Sequence, residues 1–223
     1  MTQVNYTDVT ILLDRSGSME TIKSATEEGL NGFITEQRKL PGKCLLSAVL
    51  FDSYVVSPSR PYFVDSSSIA FAPPTEWLFE AVPIKDAKGI RLNPRGSTPL
   101  FDAVGDVIER TGKRLAASCE GCRPDRVVIA IVTDGQENAS IKYNLAQIKQ
   151  MIEHQQSVHK WDFVFLGANI NAMEVGTSIG IYAVNTMTYD ANYAGTQVAY
   201  KSLSASISNT RSGGSAALVD DNS

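Results

Sequence analysis

Four short, almost uninterrupted apolar runs constrain the fold of this chain more than any other feature of its sequence. They are VTILL (9–13), CLLSAVLF (44–51), RVVIAIV (126–132) and DFVFLG (162–167). Runs of this length, rich in β-branched and aromatic residues, are typical of strands that are buried on both faces. Such strands belong to parallel sheets that helices cover on each side.

Segments of helical periodicity separate these runs. Apolar residues recur at helical spacing over 19–40, 99–117, about 142–156 and about 190–209, the last with Asp190 as its expected N-cap. Strands that alternate with helices indicate right-handed βαβ units. We therefore predict an α/β fold with a doubly wound, mainly parallel open sheet and helices on both faces.

Two segments interrupt this alternation. YVVSPSRPYFVD (54–65) follows the second strand without a helix, which predicts one antiparallel edge strand, blunted by its two prolines. Residues 66–97 then form a long connection, a feature that is often functional in a compact domain. Within it, Trp77 and Phe79 are expected either to pack the connection on the domain or to anchor a partner protein.

Length, composition and charge limit the classes of function. A chain of 223 residues that is 43% hydrophobic suits one large domain, which we place at 1–210, followed by a flexible Gly/Ser-rich acidic tail at 211–223. A net charge of −4 without a basic block argues against a nucleic-acid partner. No apolar stretch approaches the roughly 18 residues of a membrane span, so no membrane partner is expected. We see no signal peptide, and three sparse cysteines fit a reducing compartment, so a cytoplasmic location is predicted.

Polar residues gather in three loops that the predicted sheet places at one edge. Ligands of doubly wound sheets bind at the C-terminal ends of the strands. The loops are DRSGS after the first strand, TDGQEN after the run at 126–132, and PRGSTPLFDA at the start of a helix. They offer two carboxylates and three hydroxyls: Asp14, Asp134, Ser16, Ser18 and Thr98. Because all five are hard oxygen donors, we predict a site for Mg²⁺, with Mn²⁺ as the other candidate ion, rather than for zinc.

Simpler structural roles remain open for several of these residues. A hydroxyl followed by proline is a good helix start, so Thr98 also fits an N-cap of the helix that begins at Pro99. The DRSGS loop also fits a capped turn. The favourable interaction of an acid with the dipole of a helix mostly explains the presence of Asp102 in a first helical turn. Glu137 either supports the site or is a solvated acid of the loop.

The three loops resemble a known family. DRSGS, the threonine of GSTPLFDAV and the TDG that follows a buried strand are similar to the metal-ion-dependent adhesion site (MIDAS) of von Willebrand factor A (vWA) domains, over roughly residues 8–209. The resemblance implies a Rossmann-like vWA fold. It implies that Ser16, Ser18 and Thr98 are direct or switchable metal ligands, and that Asp14 and Asp134 hold the site through water or hydrogen bonds. It also implies a module without enzymatic activity, which binds a protein partner through an Asp or Glu that enters the metal shell.

Other functions stay open at this point. A Mg²⁺-dependent hydrolase or phosphotransferase would use the same site, although Ser16 stands where haloacid-dehalogenase phosphatases have a second aspartate. A structural subunit, in which the metal only ties loops together, is the third candidate. Separately, CEGC (119–122) with His154 and His159 would supply four zinc ligands at the opposite edge of the sheet.

Overall fold

The computed structural model describes residues 3–53, 55–56, 70–71 and 74–218. The strands are β1 (Gln3–Asp14), β2 (Lys43–Phe51), β3 (Val55–Val56), β4 (Ala70–Phe71), β5 (Thr75–Pro83), β6 (Pro124–Thr133), β7 (Asp162–Ala168) and β8 (Thr186–Tyr189). The helices are α1 (Lys23–Lys39), α2 (Leu100–Ala117), α3 (Leu145–Val158), α4 (Ala172–Ser178) and α5 (Tyr193–Arg211). Short 3₁₀ helices span Gly17–Ile22, Glu120–Cys122 and Ala183–Asn185.

The main sheet has six strands in the order β5-β2-β1-β6-β7-β8. β5 runs antiparallel to β2, and the other neighbouring pairs are parallel. β1 lies between β2 and β6, where Leu12 is level with Val49 on one side and Ile131 on the other. The predicted fold class, including its single antiparallel edge strand, is confirmed.

Two apolar layers cover the sheet, one on each face. One layer contains Leu30 and Phe33 of α1 and Leu203 of α5, and the other contains Val104 of α2 and Ile152 of α3. Alternate residues of β1 point into different layers, because successive side chains of a strand face opposite sides. The two layers explain why the strands have continuous apolar runs instead of an alternating pattern.

The antiparallel edge strand lies later in the chain than predicted. It is β5, within the segment predicted to be a connection, and not residues 54–65. Of 54–65, the described residues are Val55 and Val56, which pair with β4 in a separate two-stranded ribbon. Trp77 and Phe79 of β5 are half-buried against the two apolar layers, which confirms the packing interpretation for both. Packing against the apolar layers of the domain therefore explains these aromatic residues.

The C-terminal part also differs from prediction. α4 and the short edge strand β8 were not predicted, and α5 begins after Asn192, whose side chain caps Gly195 N, rather than after Asp190. The tail was predicted from residue 211, yet Arg211 is the buried last residue of α5 and Ala216 is buried as well. Residues 219–223 lie outside the described residues.

Arg211 joins the end of α5 to the end of α1. Its guanidinium donates to the carbonyl oxygens of Gln37 (2.7 Å), Leu40 (3.3 Å) and Pro41 (3.0 Å). Gln37 lies in the last turn of α1, and Leu40 and Pro41 follow the helix, so the arginine bonds the carbonyls at the point where α1 ends. None of the helices in the described part of the chain is long and apolar enough to cross a membrane.

Candidate functional site

Asp14 is the last residue of the central strand and is completely buried. Its carboxylate accepts hydrogen bonds from Ser16 N (2.7 Å) and from the Thr133 hydroxyl (2.6 Å). Thr133 ends β6, the neighbouring strand, and its hydroxyl also accepts from Gly135 N at 3.1 Å. Asp14 therefore ties together the two loops that leave β1 and β6.

Ser16, Ser18 and Asp134 meet above this buried carboxylate. The Ser18 hydroxyl donates to the Asp134 carboxylate at 2.8 Å, and the two serine hydroxyls are 3.1 Å apart. Ser16 is buried, Asp134 is half-buried and Ser18 is exposed. The group is therefore open to solvent on the Ser18 side.

Thr98 reaches the same place from the start of α2. A Cβ atom added at Gly135 would lie 3.0 Å from the Thr98 hydroxyl oxygen, so the absence of a side chain at Gly135 leaves room for that hydroxyl. Asn138 fixes the backbone of Thr98: its side chain accepts from Thr98 N at 2.9 Å and its N–H donates to Thr98 O at 3.1 Å. The N-cap residue of α2 is Pro99 and no side chain caps it, so the N-cap interpretation of Thr98 is wrong. The structure thus brings all five predicted site residues together.

Glu137 and Asp102 build the loop that carries this site. Glu137 accepts from Phe101 N (2.8 Å) at the start of α2, and from Ala139 N and Ser140 N in its own loop. Asp102 is buried and accepts from the backbone N–H groups of three successive residues, 141–143. The helix dipole alone does not account for Asp102, because its carboxylate organises the loop after β6. Glu137 supports the site, which resolves the choice that the sequence left open.

Sequence reasoning missed Asp52, a third buried carboxylate at this edge. It follows β2 and is 1% exposed. The Arg15 guanidinium donates to it from Nε (3.0 Å) and Nη2 (3.2 Å), and Arg95 Nε donates at 2.6 Å. The signal was present in the sequence, since CLLSAVLFD ends in an acid directly after a buried strand. Asp52 thereby links the loop of Arg15 to the loop that precedes Thr98.

The electrostatics of Asp14 and Asp134 differ from those of Asp52. Two arginines neutralise Asp52. By contrast, burial and, to a smaller extent, the nearby Asp134 carboxylate raise the pKa of Asp14, the hydrogen bonds from Thr133 and Ser16 lower it, and the net result is a pKa of about 6. Burial also raises the pKa of Asp134, against the hydrogen bond from Ser18. Two carboxylates that are costly to ionise side by side favour a bound cation.

The donor set fits a hard divalent ion. Two carboxylates and three hydroxyls supply oxygen only, which is the chemistry that Mg²⁺ and Mn²⁺ prefer. The described residues contain no group of three or more His, Cys, Asp or Glu side chains that could hold a metal ion. A cation here would therefore depend on the serine and threonine hydroxyls in addition to the two acids.

The alternative zinc site is not assembled. Cys119 and Cys122 form a disulfide with each other across a 3₁₀ turn, and both are exposed. The His154 and His159 rings contact each other edge to face, with their centroids 5.5 Å apart. A disulfide weakens the argument from cysteine count for a reducing compartment, so the cytoplasmic location remains a prediction.

Comparison with known proteins identifies the fold. No protein-family model and no curated protein matches the chain. Among solved structures, the von Willebrand factor type A structure from Catenulispora acidiphila has 16% identity and a TM-score of 0.56, and the match covers 92% of this chain and 43% of that one. The chain has the von Willebrand factor A fold.

Two further vWA-fold structures are similar and were solved with a metal. Mussel byssus proximal thread matrix protein 1, with zinc in its MIDAS motif, has 11% identity and a TM-score of 0.56, over 88% of this chain and 46% of its own. The manganese-loaded TRAP protein of Plasmodium vivax has 16% identity and a TM-score of 0.53, over 87% and 72%. Our chain spans less than half of the mussel and Catenulispora chains. At identities of 11–16%, these structural likenesses show the fold and not the function.

Proposed function

We propose that this vWA-fold chain is a metal-dependent protein-interaction module, in which Mg²⁺ or Mn²⁺ links the protein to an acidic side chain of a partner. The observation that carries the proposal is the pair Asp14 and Asp134, two buried or half-buried carboxylates with raised pKa values, surrounded by hydroxyls and open to solvent on one side. The metal-loaded mussel and Plasmodium proteins, which share the fold, support a divalent ion.

The roles of the residues follow from the donor set. Ser16, Ser18 and Thr98 would hold the ion through neutral hydroxyls, and Asp14 and Asp134 would balance its charge. A bound divalent ion supplies an electrophilic centre that a carboxylate of another molecule can join. The exposed position of Ser18 leaves this side of the site accessible to a partner.

Apolar side chains around the site give the partner a surface to bury. α3, α4 and α5 all begin at the edge of the sheet that carries the site, because each follows a parallel strand. Exposed apolar residues lie at or just before their first turns: Ile141 (83% exposed), Leu145 (43%), Met173 (57%) and Tyr193 (58%). Aromatic residues and methionine are enriched in protein interfaces.

The contacts of the other acids argue against a hydrolase or phosphotransferase. Such an enzyme needs a free general base or nucleophile close to the metal. Asp102 and Glu137, the acids next to the site, are occupied by backbone N–H groups that hold the loop after β6. We therefore propose a binding function without catalysis. A purely structural metal would not explain the exposed apolar residues at the same edge.

Calorimetric titration with Mg²⁺ and Mn²⁺ tests the metal, with Asp134→Ala as the test variant. We expect the wild type to bind and Asp134→Ala to lose binding while it keeps its far-UV circular dichroism. The matched control is Glu174→Ala, which removes an acid from the first turn of α4 and should bind normally.

Affinity capture in Mg²⁺ against EDTA then tests the partner. Proteins retained in Mg²⁺, released by EDTA and not retained by Asp134→Ala would support the proposal. Equal capture by the wild type in EDTA would show that the metal does not mediate binding. Mg²⁺-dependent hydrolysis of phosphate esters that is lost in Asp134→Ala would favour the enzyme instead.

A further inference from the structure

Three buried hydroxyls behind the metal site have no hydrogen-bond partner in the described part of the chain. They belong to Thr26 of α1, Tyr189 of β8 and Tyr200 of α5, which are 0%, 5% and 2% exposed. A buried hydroxyl without a partner destabilises the fold by roughly 1–3 kcal/mol. Three of them on the α1 and α5 side of the sheet therefore indicate an ordered water or a role in the site.

The register of the sheet places one of these hydroxyls on the level of Asp134. Thr133 of β6 is paired with Gly167 of β7, so the next residue, Asp134, is level with Ala168. Ala168 is in turn paired with Tyr189 of β8. Asp134, at the end of β6, thus forms a row with Ala168 and Tyr189 that runs perpendicular to the strands.

Two residues of this row, Ala168 and Tyr189, also lie on one face of the sheet. Ala168 and Tyr189 belong to the apolar layer beneath α1 and α5, and so does Val132 of β6. Asp134 lies in the bend directly after β6, where its carboxylate accepts from the Ser18 hydroxyl. Ala168 and Tyr189 therefore point toward the helices that carry Thr26 and Tyr200.

Ala168, the middle residue of the row, has the smallest side chain of the three. Alternate strands are about 10 Å apart, twice the spacing of neighbours. The methyl group of Ala168 therefore puts little bulk between Tyr189 and the end of β6. The electrostatics agree: after burial, the Asp134 and Asp14 carboxylates are the causes that raise the pKa of Tyr189. The hydroxyl thus lies within the field of the metal-site acids without bonding to either directly.

We infer that Tyr189 is a positioning residue of the metal site, whose hydroxyl donates to a buried water that donates in turn to the Asp134 carboxylate. The inference rests on the proposed function for its consequence, which is metal affinity. Tyr200 and Thr26 supply further partners for water, and a buried water typically makes about three hydrogen bonds. Such a water would fix the orientation of Asp134 from behind, while Ser18 holds it from the solvent side at 2.8 Å.

Tyr189→Phe is the test variant, because it removes the hydroxyl and keeps the ring. Groups that orient metal ligands typically change metal affinity by about 10–100-fold, so we expect Mn²⁺ binding, followed by electron paramagnetic resonance, to weaken by about tenfold. The melting temperature of the metal-free variant should stay close to that of the wild type, because the ring and its packing are kept. The control is Tyr182→Phe, which changes a tyrosine that is 59% exposed and lies before β8 at the opposite edge. Equal Mn²⁺ affinity of Tyr189→Phe and the wild type would overturn the inference.

A high-resolution crystal structure of the metal-free wild type separates this inference from the proposed function. We expect one water within hydrogen-bond distance of both the Tyr189 hydroxyl and the Asp134 carboxylate, and its loss in Tyr189→Phe. Absence of that water from the wild type would overturn the inference whatever the metal does. A wild type that contains the water but binds neither Mg²⁺ nor Mn²⁺ would support the positioning of Asp134 and refute the proposed function alone.

Discussion

Asp14→Asn should stabilise the metal-free protein and abolish metal binding at the same time. Burial raises the pKa of Asp14 from 3.8 to about 6 in the folded state. A group whose pKa is higher in the folded state gives full stability below its unfolded value, and this stability is lost as the pH rises through the folded value. Above about pH 6, the ionised Asp14 therefore destabilises the fold, whereas asparagine does not ionise.

The magnitude follows from the size of the shift. About two pKa units at 1.36 kcal/mol each correspond to about 3 kcal/mol as an upper bound. For a chain of this length, this amounts to about 6–12 °C in melting temperature. The hydrogen bonds permit the substitution, because the Thr133 hydroxyl, which now donates to Asp14 at 2.6 Å, can instead donate to Gly135 O at 3.0 Å. The Thr133 hydroxyl oxygen would then accept a hydrogen bond from the side-chain amide that Asp14→Asn introduces.

Thermal unfolding in EDTA at pH 7.5 and pH 4 measures both sides of this prediction. At pH 7.5, Asp14→Asn should melt above the wild type, and at pH 4 the two should converge as Asp14 becomes protonated. Adding Mg²⁺ at pH 7.5 should raise the melting temperature of the wild type only. If Asp14→Asn melted below the wild type in EDTA at pH 7.5, the carboxylate would be a structural requirement and the reasoning from its raised pKa would be refuted.

Two pairs of substitutions test the scaffold of the site through urea unfolding. Asp52→Asn should destabilise the fold by about 3–5 kcal/mol, because it leaves the buried Arg15 guanidinium with the exposed Glu76 as its remaining acidic partner. Glu76→Gln, at a side chain that is 53% exposed, should change stability by less than about 1 kcal/mol. Gly105→Ala should destabilise by about 1–3 kcal/mol, since its Cβ would lie 2.3 Å from the Tyr143 ring, which packs against α2. On the same helix Gly112→Ala, with open space at its Cβ, should instead stabilise by up to about 1 kcal/mol; equal effects at the two glycines would contradict the packing argument.

The sequence was sufficient to predict that Asp14 and Asp134 lie at one edge of the sheet, because both residues stand at the ends of buried strands. A buried strand leaves a continuous apolar run, and the polar residue that ends the run marks the edge where parallel strands meet. Asp14 and Asp134 stand at such ends, and Asp52 does too, although its position was not recognised as meaningful. The sequence does not reveal which acidic and basic side chains pair. Nothing in the spacing of residues 15, 52 and 95 indicates that two arginines share one aspartate.

The edge strand shows where sequence reasoning reaches its limit. β5 is half-buried and irregular, with a register shift against β2 and a positive φ of 48° at Ala81. Its pattern therefore lacks both the continuous run of a central strand and a strict alternation. β8 has only four residues, too few for any periodicity to be visible. Both strands are defined by the neighbour that each one pairs with, which the local sequence does not specify.

The bond between Arg211 and the end of α1 has a consequence for synthesis of the protein on the ribosome. The two partners, Arg211 and Gln37, are 174 residues apart, and the helix that carries Arg211 covers one face of the central strands. Until that helix leaves the exit tunnel, α1 lacks its packing partner and an apolar surface of the nascent chain stays open. Domains with such long-range contacts close late and are exposed to aggregation in the interval. Completion of the fold, and with it of the metal-site scaffold, is therefore expected only after α5 has left the exit tunnel.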